Sequence, residues 1–157
     1  MIRTKKRLAL CTALIAVNLM LIWGNSLLPG TDSGAMSGGV VNFLVQLLDI
    51  PASYGDTVHT LIRKMAHFTE FACLGALLCW RFGMAGEQGA KLAYLPVLWG
   101  MAVALTDESI QLFTPDRGPS LADVWIDTCG AAAGMILVLI GYHFIQKKCK
   151  KNLEETT

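Results

Sequence analysis

Arg63, Lys64, His67 and Glu70 are packed into the short stretch RKMAHFTE, within a segment that is otherwise largely apolar. Arg63, His67 and Glu70 follow i, i+4, i+7, so a helix presents them on one face. Farther along, TDESIQ carries Asp107, Glu108 and Gln111, TPDRGPS carries Asp116 and Arg117, and LADVWID carries Asp123 and Asp127. These types support a definite chemistry. Guanidinium forks at Arg63 and Arg117 suit a phosphate. His67, Glu70, Glu108 and Asp123 are the candidate proton-transfer groups, able to act as general acid or base. Asp107, Gln111 and Asp127 complete a candidate binding set with the two arginines. Five carboxylates (Glu70, Asp107, Glu108, Asp123, Asp127) face three cations (Arg63, Lys64, Arg117), with His67 a conditional fourth. Such a site protonates some members, recruits a metal, or uses charged His67. The H-x-x-E pair is compatible with Mg²⁺, Mn²⁺ or Zn²⁺ and specifies none of them, so no metal ligand is assigned.

The elements that must position these residues are apolar. The chain has 157 residues, 54% hydrophobic and 16% charged, where a soluble domain is about a quarter charged. Basic clusters open it (Arg3, Lys5, Lys6, Arg7) and close it (Lys147, Lys148, Lys150, Lys151). They flank apolar runs and form no basic face on a folded domain, which excludes a nucleic-acid binder and fits a membrane surface. The five cysteines are odd in number and mostly lie in apolar runs, so neither a disulfide framework nor a zinc finger is expected. No P-loop, nucleophile elbow or dinucleotide fingerprint is present.

A spanning helix needs about 20 mostly apolar residues. Residues 8–28, 61–82, 91–113 and 121–144 supply four such segments, within one domain covering residues 1–157 and ending in a basic tail over 145–157. The first is longer than a signal-peptide core and reads as an anchor. In the connection after it, VVNFLVQLLDI is too short to span. Asn42, Gln46 and Asp49 make one polar stripe there, the pattern of a short interfacial helix in the first outer loop. A helix buried over the bundle fits the same pattern. The expected fold is thus all-α: a polytopic membrane protein of four transmembrane helices plus an interfacial one.

The connection from Pro29 to Thr60 has no lysine or arginine, while both termini and the turn bounded by Arg81 and Lys91 are basic. The positive-inside rule then puts both ends in the cytoplasm. The polar residues of the second, third and fourth segments fall at one depth, near the outer face. Gly130 and Gly134, four apart, extend the stripe of Asp123 and Asp127 and let helices approach closely. Ser120 is placed to cap the last helix.

RKMAHFTEFACLGALL followed by ALTDESIQLFTPDRGPSLADVWIDTCGAAAG resembles the VanZ-like family of small bacterial membrane proteins. The family pattern is an R-K-x-x-H-x-x-E helix, a D-E-x-x-Q helix, a P-x-R loop and an aspartate-led final helix ending in small residues. Arg63, Lys64, His67, Glu70, Asp107, Glu108, Gln111, Pro115, Arg117, Asp123 and Gly130 match it. Asn25 and Ser26 also resemble the family, and Asp127 departs from it, since asparagine is common there. The family's named member is linked to low-level resistance to teicoplanin, a lipoglycopeptide acting on cell-wall precursors outside the membrane. The resemblance implies a cell-membrane, multi-pass protein whose partners are membrane lipids or lipid-linked precursors. The leading reading is an outward-facing site that binds or modifies a lipid-linked or headgroup substrate. The alternatives are a non-catalytic envelope scaffold and a small ion- or proton-coupled carrier.

Overall fold

The computed structural model describes residues 2–29, 39, 43, 46, 47 and 54–154. It contains four long helices in antiparallel succession, α1 (Ile2–Leu27), α2 (Gly55–Met84), α3 (Ala90–Gln111) and α4 (Leu121–Glu154), and no strand among the described residues. Helices α1 and α4 each contain a stretch long and apolar enough to cross a membrane, Lys5–Leu27 and Leu121–Lys148. The same criterion of length and composition does not select α2 or α3. The interfacial helix expected over residues 40–50 falls largely outside the described residues; of that run, Phe43, Gln46 and Leu47 are helical and exposed.

Helix bounds differ from the apolar segments for local reasons. Helix α2 begins at Gly55, ahead of its apolar run, and α3 stops at Gln111, short of residue 113. Helix α4 runs through the basic tail to Glu154, because Gln, Lys and Glu are good helix formers and no Gly or Pro interrupts them after Gly141.

Helices α2 and α4 share the most extensive interface, and α3 packs on α4 beside it. Glycine sets the spacing. A Cβ on Gly134 would overlap the Ala72 carbonyl, one on Gly75 the Ala131 carbonyl, and one on Gly130 would lie 2.5 Å from the Phe68 carbonyl oxygen. Backbone therefore meets backbone along this seam, the approach that small residues permit. Helix α1 packs against α2 and α3. Ile22, Phe71, Leu74, Leu78, Val103, Ala104 and Val124 form the apolar core between the four helices.

Pro96 sits inside α3 and is fully buried. Proline has no N–H to donate to the carbonyl four residues earlier, that of Leu92. The Cys79 thiol of α2 reaches that oxygen at 3.9 Å and supplies a donor from outside the helix. A cysteine in an apolar helix here does polar duty.

The bundle has two unlike ends. Arg81 hydrogen-bonds Thr12 at 3.3 Å, and Glu87 and Gln146 line one open groove, so the start of α1, the α2–α3 turn and the end of α4 lie together. Lys5, Lys6, Arg7, Arg81, Lys91, Lys147 and Lys148 belong to that end. His67, Glu70, Asp107, Glu108, Asp123 and Asp127 lie at the other, together with Arg63, Lys64 and Arg117. Large apolar side chains cover the outside, among them Leu14, Met20, Trp80, Trp99, Leu137 and Phe144.

Candidate functional site

Arg63, Lys64 and His67 of α2, Glu108 and Gln111 of α3, and Asp123, Ile126 and Asp127 of α4 line one cavity of about 10 Å³. That is room for roughly one water molecule or ion. The spacings read from sequence explain the convergence. Residues at i, i+3, i+4 and i+7 share a helix face, and in an apolar environment such faces turn toward one another, because each isolated charge costs about 2.5–3.5 kcal/mol at a helix centre. His67, Glu108 and Asp123 come from three helices and meet at this cavity. Glu70, Asp107 and Arg117 lie around it and are not part of its lining.

Each group is held differently. Lys64 makes a close ion pair with Asp123, tying α2 to the first turn of α4. Glu108 is held by a backbone group: its Oε2 accepts the Ser120 N–H at 2.7 Å, and the Ser120 carbonyl accepts the N–H groups of Asp123 and Val124 that open α4. The sequence reading assigns the Ser120 hydroxyl as a cap for α4; the contacts described for Ser120 are those of its backbone, whose N–H tethers Glu108. The Nδ1 of His67 stands 3.9 Å from Glu70 Oε2. The Asp107 carboxylate is wholly buried, and its Oδ2 accepts Gln111 Nε2 at 2.9 Å. Asp127 is 2% exposed. Among the described residues, Asp107 Oδ1, Asp127 Oδ1 and His67 Nδ1 are buried and have no hydrogen-bond partner.

Helix α1 contributes more than its sequence advertised. Ser26 is fully buried, hydrogen-bonds the Asp107 carboxylate and accepts Gln111 Nε2 at 3.2 Å. Its carbonyl accepts the Thr114 hydroxyl at 2.9 Å. Arg117 Nη2 donates to the Asn25 carbonyl at 2.8 Å. Asp116 adopts φ 57°, a left-handed conformation that aspartate tolerates, at the bend preceding Arg117. Burial, and then the charge of Arg63 beside it, hold the Arg117 guanidinium below its ordinary value. Asn18 Nδ2 donates to the Glu70 carbonyl at 3.4 Å. Thr114 had no place in the candidate set. The available signal was the spacing of Asn18, Ile22, Asn25 and Ser26, a weakly polar stripe on an otherwise apolar helix.

Once the residues are placed, the arrangement offers two kinds of chemistry. The cations near the mouth can bind an anionic group, and the His67–Glu70 and Glu108 groups can hold or move a proton. A family model described as VanZ/LLP1 matches residues 10–142, which takes in α2 and α3, most of α1 and α4, and every residue of the cavity. Comparison with curated proteins and with solved structures found no match.

Proposed function

The chain belongs to the VanZ/LLP1 family, and from that premise we propose an integral membrane protein of four spans, both termini cytoplasmic, whose outer end binds or modifies the headgroup of a lipid-linked cell-envelope substrate. Two sufficiently apolar helices and the family membership point to the membrane. The collection of basic residues at the end opposite the cavity supports the orientation, and the apolar exterior of α3, with Leu98, Trp99 and Leu105 exposed, supports its contact with lipid.

The observation that carries the reading is the position of Glu108. It lines the polar cavity and also a neighbouring groove of about 320 Å³ between α3 and α4, walled by Leu105, Leu112, Pro119, Leu121 and Val124. Ligand sites begin at about 300 Å³ and combine apolar walls with a few placed polar groups. An amphiphile fits this pair of surfaces: its chain in the groove, its phosphate against Arg63, Lys64 and Arg117, its reacting or recognised atoms beside Glu108 and His67. The cavity itself is too small for a headgroup, so the headgroup sits at its mouth.

The test is lipid retention in the purified protein, read by native mass spectrometry in detergent. Wild type is expected to keep an added polyprenyl phosphate or phosphatidylglycerol. Retention is expected to fall in Arg63→Gln/Arg117→Gln, and in Leu105→Trp/Val124→Trp, which fills the groove. Equal retention in all three proteins sinks the reading. Recovery of the lipid chemically unchanged after incubation separates binding from modification. An effect on teicoplanin susceptibility in cells belongs to the same proposal and is read by comparing strains with and without the gene.

A further inference from the structure

We propose that His67, Asp107 and Asp127 form a binding site for one divalent transition-metal cation, of the Zn²⁺ or Mn²⁺ class, at the inner wall of the polar cavity. The proposal does not depend on what the α3–α4 groove holds.

Geometry comes first. One ligand atom from each of the three residues, drawn from three different helices, lies within 4.8 Å of the other two. Atoms each about 2.0–2.2 Å from a tetrahedral ion stand about 3.3–3.6 Å apart, so side-chain adjustments of up to about an ångström close the set. Two of these ligands are also stranded. Asp107 is 0% and Asp127 2% exposed, and the Oδ1 of each has no hydrogen-bond donor among the described residues. Asp127 belongs to the cavity wall, and the cavity has the size of a single ion or water. Buried polar atoms left without partners call for an explanation, and two stranded carboxylate oxygens beside an imidazole are acceptors that an ion or a water can satisfy.

Charge points the same way. Lys64–Asp123 and Lys91–Glu87 are ion pairs of the described residues, and His67–Glu70 is one only with a protonated imidazole, which a ligating His67 is not; none includes Asp107 or Asp127. With Lys64 and Asp123 matched, Arg63 and Arg117 face Glu70, Asp107, Glu108 and Asp127. Two cations against four ionised carboxylates leave two negative charges, which protonation of two of them or one divalent cation balances. The donor set, one imidazole nitrogen and two carboxylate oxygens, suits Zn²⁺ and Mn²⁺ and leaves positions for water.

The surroundings orient the ligands as metal sites require. Gln111 Nε2 holds Oδ2 of the Asp107 carboxylate, and Oδ1 has no donor among the described residues. Glu70 stands 3.9 Å from His67 Nδ1, beyond hydrogen-bond distance, and a small rotation would let it take the Nδ1 proton of an imidazole ligating through Nε2. Gln111 and Glu70 are therefore positioning residues.

The full-length protein, purified in detergent on a histidine-free tag, is stripped with EDTA, dialysed against Zn²⁺ or Mn²⁺, and its metal counted by inductively coupled plasma mass spectrometry. The expected result is one ion per chain, lost in His67→Gln, Asp107→Asn and Asp127→Asn and unchanged in Glu87→Gln. Glu70→Gln and Gln111→Leu are expected to weaken binding about 10–100-fold. Because ligand variants of a buried site can fail to fold, a second measurement keeps all three ligands. In a chain carrying His59→Gln and His143→Gln, His67 is the sole histidine, and its ¹⁵N ring resonances must move on adding Zn²⁺. Substoichiometric metal in wild type, metal that survives all three ligand substitutions, or His67 resonances indifferent to Zn²⁺ overturns the site. Metal binding without lipid retention, or the reverse, tells this proposal apart from the lipid reading.

Discussion

Gly134→Ala and Gly24→Ala are the same chemical change with opposite expected signs. Both glycines lie inside helices, where alanine is favoured by up to about 1 kcal/mol. At Gly24, and also at Gly141, a Cβ meets nothing within 4 Å, so that preference should appear as a small gain. At Gly134 the Cβ would overlap the Ala72 carbonyl, which is backbone and has no rotamer to yield. Helices α2 and α4 must part, and overpacking of this kind costs about 1–3 kcal/mol. The propensity gain is common to both, so the two variants should differ by the overpacking cost itself, roughly 1–3 kcal/mol. Gly130→Ala should be the milder of the seam variants, since its Cβ would stand 2.5 Å from the Phe68 carbonyl oxygen. It lies nearer the site, one turn after Asp127 and against the residue that follows His67, so it should also widen the gap between those two side chains. Unfolding in mixed micelles by titrated SDS, followed by tryptophan fluorescence and circular dichroism, ranks the four variants. Gly134→Ala matching Gly24→Ala in stability would refute a backbone-on-backbone seam.

Three further outcomes follow from named contacts. Glu108→Gln keeps an oxygen for the Ser120 N–H, and no ion pair of the described residues involves Glu108; folded yield should hold while any envelope-antibiotic phenotype disappears, and failure to accumulate would favour a purely structural Glu108. In the proposed topology, Tyr54→Cys should react with impermeant maleimide on intact cells and Lys148→Cys only after permeabilisation; the reverse pattern inverts the protein and the site with it. Cys79→Ala leaves the Leu92 carbonyl without its donor and should cost roughly 1 kcal/mol, whereas Cys79→Ser should recover it; equal melting curves for the two would remove the thiol from the account of Pro96.

The site was legible where charge had no alternative. Arg63, Lys64 and His67 on one helix, Glu108 and Gln111 on another, and Asp123 and Asp127 on a third occur in apolar surroundings, and their spacing alone fixes a common face for each helix. Gly130 and Gly134 were legible for a related reason, because small residues at that interval have few uses other than close packing. Ser26 and Thr114 were harder to read. A lone hydroxyl in an apolar helix costs little and can bond its own backbone, so it carries no signal until a neighbour such as Asp107 is seen against it. The partner of Glu108 was unreadable for another reason. Sequence pairs side chains with side chains, and Ser120 answers Glu108 with its main chain. Cys79 shows the same limit: its donor role exists only because Pro96, on a different helix, lacks an N–H.

The glycine seam has a consequence for permeation. Below the cavity the path along the bundle axis runs into Gly75 against Ala131 and Gly134 against Ala72, backbone on backbone, with Leu74, Leu78 and Ala104 filling the sides. The open groove lined by Gly83, Glu87 and Gln146 lies beyond that plug, at the opposite end. The molecule is thus a cul-de-sac: whatever reaches the carboxylates must leave by the mouth through which it came, or sideways between α3 and α4. Passage along the axis would require this backbone-on-backbone seam to part along its length. On the proposed reading, such a vestibule retains, presents or alters a guest at one end of the bundle.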